Sequence, residues 1–249
     1  MLTTVFDIET REIPFEELQA AGIAPASVGV MPTREMIQEK MDSMSKSWLP
    51  ETKLKKAEEW AASYSADEDI EKWMKNSQLD PVTSIIAGYG AWVSDDPKRY
   101  HIELMSEKAF RTDRVNAEIN MLQRLTELLD RSAIAIGHYV RGFDLPFIKQ
   151  RCVLLDIDFP DQLIRPEHVQ ENGVETRVYD TCEHYQGRSK SKSSLEYLGL
   201  AMGKGRKPLH ATELWSAPLD TQQEYVAYDV EVTLMLARRL RLIEPAQKL

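Results

Sequence analysis

The chain has 249 residues, a hydrophobic fraction of 43% and a formal net charge of −9, which suits one domain with an elaboration or two small ones. It has no apolar run of membrane-spanning length and no basic start leading into an apolar stretch, so neither a span nor a signal peptide is expected. The two cysteines, Cys152 and Cys182, form no Cys-x-x-Cys pair and fit a reduced cytoplasmic protein. Cys182-Glu183-His184 lacks the second Cys/His cluster that a zinc shell needs.

The first element is a short apolar start, Leu2, Val5 and Phe6, running into Asp7-Ile8-Glu9-Thr10. Residues two apart in a strand face the same way, so Asp7 and Glu9 project side by side. Adjacent carboxylates repel unless a cation lies between them, and hard divalent ions suit an all-oxygen set. Alone, Asp-x-Glu is also what an ordinary solvated strand carries. Residues 11–80 then intervene before the next clear strand, Ser84 to Val93, where a tight hairpin would suffice. They hold three of the five tryptophans, Trp48, Trp60 and Trp73. Ile37, Met41, Met44 and Trp48 fall at helical spacing, as do Leu54, Ala57, Ala61 and Tyr64, and then Ile70, Trp73 and Met74. The spacing predicts several short helices packed beside the core, as a lid, a partner surface or an inert elaboration.

A third strand is expected over 100–105, after Asp95-Asp96-Pro97, and an amphipathic helix over 113–130, marked by Val115, Ile119, Leu122, Leu125 and Leu129. Ser132 to Ile136 reads as a buried strand leading into Gly137-His138-Tyr139-Val140-Arg141-Gly142-Phe143-Asp144-Leu145-Pro146. Gly142 and Pro146 bracket the start of a helix reaching about Leu155. Asp144 then lies at its N-terminus, at the carboxyl end of the sheet, where capping and metal ligation are both open. Thr176 to Tyr179 reads as a further strand. From Arg188 to Lys207, six basic residues (Arg188, Lys190, Lys192, Lys204, Arg206 and Lys207) face one acid, Glu196, around a short helix over 194–202. In an acidic chain this strip offers local attraction for phosphate, although basic loops are commonly just solvated. The last helix, 220–242, carries Tyr225 and Asp229 on one face. Tyr225 can bring its hydroxyl to whatever Asp229 coordinates, or it can pack while Asp229 meets solvent.

Together, Asp7-x-Glu9, Phe143-Asp144 and Tyr225-x-x-x-Asp229 resemble the three motifs of the DEDD-type 3′–5′ exonucleases of the ribonuclease H-like superfamily. The tyrosine matches the DEDDy branch, shared with the proofreading domains of family A and B DNA polymerases. The other branch has a histidine where this chain has Glu224. The run from Gly137 to Pro146 is similar to that of stand-alone exonucleases related to the family B proofreading domain. The resemblance covers the motif blocks and much of 82–242, but not 11–80.

The resemblance implies a single α/β domain over 1–249, with a ribonuclease H-like mixed five-stranded sheet flanked by helices and a helical insertion over 11–80. It implies hydrolysis of phosphodiester bonds at the 3′ end of mainly single-stranded DNA, releasing nucleoside 5′-monophosphates. Asp7, Glu9, Asp144 and Asp229 would hold two Mg²⁺ or Mn²⁺ ions roughly 3.5–4 Å apart. Tyr225 would orient the water, since a phenol pKa near ~10 makes it a poor base at neutral pH. Nucleic-acid contacts are expected at Thr10, Tyr139, Phe143, Lys190, Lys192, Arg206 and Lys207. Tyr139 departs from the family, which usually has Asn five residues before the second-motif Asp. Its ring can stack on a base or narrow the pocket, whereas Phe143 can stack or pack in the core. The implied partners are single-stranded DNA ends and a replicative polymerase acting in trans, because the chain is too short to contain a polymerase. The implied setting is the cytoplasm of a bacterium or of a phage-infected host. Two alternatives stand: an exoribonuclease of the ribonuclease D type, acting on RNA, and a non-catalytic nucleic-acid-binding accessory of a polymerase.

Overall fold

The computed structural model describes residues 2–77, 79–160, 163, 169–171, 174–187 and 191–243. The chain divides into two compact units, Met1–Arg11 with Ile85–Leu249, and Glu12–Ser84.

The larger unit is built on a sheet of β1 (Thr3–Glu12), β2 (Ser84–Val93), β3 (Tyr100–Leu104), β4 (Ile134–Gly137), β5 (Val169–Glu171) and β6 (Val174–Asp180), in the order β3-β2-β1-β4-β6-β5. β1 pairs with β4, and β4 with β6, in parallel; β2–β3 and β5–β6 are antiparallel. This is the expected mixed five-stranded sheet, with the short β5 added at its edge. Every residue of β2 is buried, as its apolar run requires of a strand covered on both sides.

The helices of this unit are α5 (Glu107–Thr112), α6 (Arg114–Asp130), α7 (Asp144–Leu154), α8 (Thr181–Gln186), α9 (Leu195–Ala201) and α10 (Leu219–Arg239), with a 3₁₀ turn over Ala211–Ser216. α10 joins Val5, Trp92 and Ile136 of the sheet through Val230, Leu234 and Ala237. Gly90 permits this approach, because a Cβ there would stand 2.6 Å from Val226 Cγ1 and 2.8 Å from Val230 Cγ2. On α6, Leu122, Leu125 and Leu129 are fully buried as the periodicity demands, whereas Val115 is 52% exposed. The short α5, α8 and 3₁₀ turn had no clear periodic signal, since six residues are too few to show one.

One buried ion pair ties three elements of this unit together. Glu118 of α6 accepts from Arg151 Nε of α7 at 2.7 Å and from the Ile86 amide of β2 at 2.9 Å. Neither side chain meets appreciable solvent.

The smaller unit comprises α1 (Phe15–Ala20), α2 (Arg34–Ser43), α3 (Pro50–Ala62) and α4 (Ala66–Ser77), so the expected helices are present. Its core is Phe15, Leu18 and Ala24 with Ile70, Trp73 and Met74 packed against them. Phe15 and Trp73 meet edge to face at 5.7 Å. The spacing of Ile37, Met41, Met44 and Trp48 does not mark a core stripe: α2 buries no residue, ends at Ser43, and Trp48 is 45% exposed. Among the described residues no helix is long and apolar enough to cross a membrane.

Arg151→Ala leaves Glu118 as an uncompensated buried charge, and the expected loss of stability is about 3–5 kcal/mol in urea unfolding. A loss within the range of an exposed ion pair, below about 1 kcal/mol, would show that the pair is solvated.

Candidate metal centre

Asp7 and Glu9 lie two apart near the middle of β1 and are half-buried, and Asp229, on α10, is 4% exposed. Carboxylate oxygens of Asp7, Glu9 and Asp229 all lie within 4.8 Å of one another. The strand and the helix thus bring residues 222 positions apart (229 − 7) into one acidic group that could hold a metal ion. Two oxygens of the group, Glu9 Oε1 and Asp229 Oδ1, are buried with no hydrogen-bond partner among the described residues. Buried carboxylate oxygens ordinarily find a donor, so this pair of orphans fits a coordinated cation.

Asp144 does not belong to that closest trio. It is the first residue of α7, directly after the N-cap position Phe143, and is 3% exposed. Its Oδ1 accepts from the Ile8 amide at 3.2 Å, which ties the second motif to the strand of the first. The cap position itself falls on Phe143, so Asp144 is not the N-cap residue, although its carboxylate also takes a bond from its own amide. Its charge still reaches the group, since it raises the pKa of Asp7.

Burial and crowding act together on these acids. Asp7 is raised well above the ordinary carboxylate range by burial and then by Asp229, Asp144 and Glu9, with Lys207 opposing. Glu9 is pushed up to about 8 by burial and then by Asp229. Asp144 is pushed up to about 7 by burial, against the amide bonds that favour its charged form. Asp229 is also raised by burial, partly offset by Lys207.

Lys207 is the residue whose place the sequence did not reveal. Read as one member of a basic strip, it turns inward: its ammonium is hydrogen-bonded to Asp229 and stands 3.6 Å above the centre of the Tyr225 ring. Burial lowers its pKa, but the attraction of Asp229 outweighs that and leaves it raised. Tyr225 is 4% exposed, packed with Leu214 and Val226, and burial pushes its hydroxyl up to about 12. It therefore packs and also flanks the acids, so the two sequence readings of Tyr225 are compatible.

The other expected contacts separate. Thr10 is half-buried and its carbonyl accepts from Trp215 Nε1 at 3.0 Å. Phe143 is half-buried and packs on Phe147 at 5.5 Å, in line with core packing. Lys192 and Arg206 are exposed, and Lys190 lies outside the described residues. Lys204, from the same strip, is held by Glu231.

Tyr139 has φ +61° and is 57% exposed. Its ring lies over Gly142, where any Cβ would collide with it. The left-handed conformation explains why Asn suits this position in the resembling family, since Asn tolerates it better than an aromatic residue does. Asp180, which sequence reasoning passed over, holds the loop in place. It is 1% exposed and accepts from the amides of Tyr139 at 2.9 Å and Arg141 at 3.1 Å, while also capping α8 through Cys182. An Asp closing a strand just before a helix is a cap signal, and it was legible as such. His138 reinforces the loop by a 2.9 Å contact to Thr181 Oγ1.

No protein-family model matches the chain, and no curated protein matches it. Among solved structures it is similar to the family B DNA polymerase from the hyperthermophilic archaeon Pyrobaculum calidifontis, with 14% sequence identity and a TM-score of 0.51. The match covers 97% of this chain and 24% of the polymerase, so the chain spans about a quarter of that protein's length. At this identity the likeness is one of fold. The protein is thus an α/β protein with a ribonuclease H-like sheet and an acidic group that could hold a metal ion.

The raised carboxylates set a pH dependence. Glu9 and Asp144 keep protons in the folded chain that the unfolded chain, with ordinary values of 4.5 and 3.8, has released. The folded state therefore binds more protons between about pH 4.5 and 8, and stability falls as pH rises through that window. Thermal melts in EDTA should show the midpoint declining toward pH 8, and Mg²⁺ or Mn²⁺ should restore it, more so at high pH, because ions compete with protons for the same oxygens. A flat profile in EDTA would mean that the carboxylates do not share a site.

Tyr139→Asn should raise stability by up to about 1 kcal/mol, because it relaxes the left-handed strain and removes little buried surface. Urea unfolding measures this, and a loss of stability would show that the ring contributes more by packing on Gly142 than the strain costs.

Proposed function

We propose that this protein is a metal-dependent 3′–5′ exonuclease acting on single-stranded DNA ends. The observation that carries the reading is the convergence of Asp7, Glu9 and Asp229 with two orphaned carboxylate oxygens among them. Support comes also from the motif order, which is similar to that of the DEDDy exonucleases, and from the fold likeness to a family B DNA polymerase.

In this reading Asp7, Glu9 and Asp229 hold the cation, and Asp144, tethered to the Ile8 amide, completes the ligand set for a second one. Mg²⁺ or Mn²⁺ bound there supplies Lewis-acid stabilisation of phosphate charge and lowers the pKa of water. Tyr225 orients the attacking water by its hydroxyl and does not act as base, since its pKa is pushed up to about 12. The water oxygen bonds to phosphorus as the water gives up a proton to solvent, and the bond from phosphorus to the 3′-oxygen breaks as that oxygen takes up a proton from solvent. The products are a nucleoside 5′-monophosphate and a strand with a new 3′-hydroxyl. Lys207 is free to turn toward the phosphate once a cation takes over the charge of Asp229, and its ammonium then offsets the charge that develops there. In this reading the exposed Tyr139 ring stacks on a terminal base.

Digestion of 3′-labelled and 5′-labelled single strands with Mg²⁺, Mn²⁺ or EDTA tests activity, polarity and metal need together. Asp7→Ala should abolish cleavage, because nothing else supplies the lost ligand. Tyr225→Phe should lower turnover by a smaller factor than Asp229→Ala, and Lys207→Ala should fall between them. Cleavage by Asp7→Ala at the wild-type rate would overturn the metal-site assignment. DNA and RNA strands of one sequence, digested in parallel, separate this reading from the exoribonuclease alternative.

A further inference from the structure

Beyond the acidic group, β1 leads into a cationic cluster that the sequence did not single out. Asp7, Glu9 and Arg11 are successive alternate residues of β1 and so occupy one face of the strand. From Glu9 to Arg11 the strand advances only about 6.5 Å. Arg11 is held firmly: its Cζ stands 3.6 Å above the centre of the Phe110 ring and 5.6 Å from that of Trp215. Its Nη2 donates to Glu107 Oε2 at 2.7 Å. Glu107 also accepts from Arg111 Nε at 2.5 Å, and Arg114 Cζ lies 5.4 Å from the Phe110 ring centre.

Arg11 and Arg114 thus stand against Phe110, and Arg111 joins them through the Glu107 that it shares with Arg11. Three guanidinium groups gather around one paired acid, Glu107, in a chain whose net charge is −9. Glu107 organises two of the guanidinium groups without using all the N–H donors that each fork presents. Arg111 is 75% exposed, and Trp215, half-buried, is fixed beside Thr10 by its indole N–H bond to the Thr10 carbonyl. Guanidinium groups beside a partly exposed aromatic ring are what a single nucleic-acid strand requires: charge for its phosphates and a flat surface for a base.

We propose that Arg11, Arg111 and Arg114, with Trp215, form a strand-binding subsite that holds the single strand on the 5′ side of the nucleotide being removed. The inference rests on the exonuclease reading for its substrate, and it adds where the rest of the strand is gripped. The subsite contributes affinity in proportion to strand length, because a dinucleotide that fills the acidic group extends too little to engage all three arginines. Arg11 contributes as a pre-set fork, and Arg111 and Arg114 as the outer phosphate contacts.

The test compares wild type with the double variant Arg111→Glu, Arg114→Glu and the charge-retaining control Arg111→Lys, Arg114→Lys. Binding of a fluorescent single strand is measured by anisotropy over a range of salt in EDTA, and hydrolysis is measured with Mg²⁺ on a long strand and on a dinucleotide. The expected result for the glutamate variant is at least a tenfold loss of strand affinity at low salt. Its log–log salt slope should fall by roughly 0.7 for each phosphate contact removed. Its KM should rise much more on the long strand than on the dinucleotide, and the lysine control should keep most of the slope. An unchanged slope, or a KM rise equal on both substrates, overturns the subsite. If wild type binds strands without cutting them, the exonuclease reading fails and the salt slope alone decides the subsite. If wild type does not bind strands at all, both fail. A melt of each variant guards against misfolding, and a slope restored by the lysine control excludes it as the cause.

Discussion

Mutual repulsion among Asp7, Glu9, Asp144 and Asp229, gathered where little water reaches them, is the constraint that the rest of the larger unit answers. Each of these carboxyls is raised above its ordinary range, and burial is the first cause in every case. A group so arranged is unfavourable unless it takes up protons or cations. Lys207 supplies one positive charge from within the chain, and the Ile8 amide steadies Asp144. Among the described residues two of these oxygens find no partner, and that unmet demand fits a group that could hold a cation.

The surrounding structure holds the acids in place despite their repulsion. β1 runs between β2 and β4 in the sheet, so its backbone cannot shift to separate Asp7 from Glu9. α10 is pressed onto the sheet at Gly90, which carries Asp229 and Tyr225 to the strand. α7, which begins with Asp144, is anchored two turns further on by Arg151 to Glu118, and through Glu118 to β2. Asp180 clamps the intervening loop, including the strained Tyr139, through two backbone amides. Strain and crowding thus concentrate in one region while the supports lie around it, the distribution expected of a site whose geometry matters more than its stability.

Charge is arranged on the same principle. An acidic chain repels phosphate at long range, and only local cations can reverse this near the site. The basic strip seen in the sequence is not a uniform band: Lys204 is engaged by Glu231 and Lys207 by Asp229, while Lys192 and Arg206 face solvent. The arginines around Phe110 belong to segments far apart in sequence, and their surplus becomes visible only once β1, α5 and the start of α6 meet.

The sequence alone determined five of the six strands, the long helices and the pairing of Asp7 with Glu9 along β1 and of Tyr225 with Asp229 along α10. These follow from short-range rules: alternation along Asp7-Ile8-Glu9, the buried run of Ser84 to Val93, and the four-residue spacing of Tyr225 and Asp229. It could not assign the apolar residues of 37–48, because helical spacing reports a face and not what covers it. Nor could it say that Lys207 turns toward Asp229, that Asp144 bonds to the Ile8 amide of β1, or that Arg11 is clasped between Phe110 and Trp215. Those facts depend on which distant segments become neighbours, and the direction of a long, flexible side chain is set by the partner it finds there. Local pattern marked the carboxylates that gather; only the tertiary packing decided which of their charges meet.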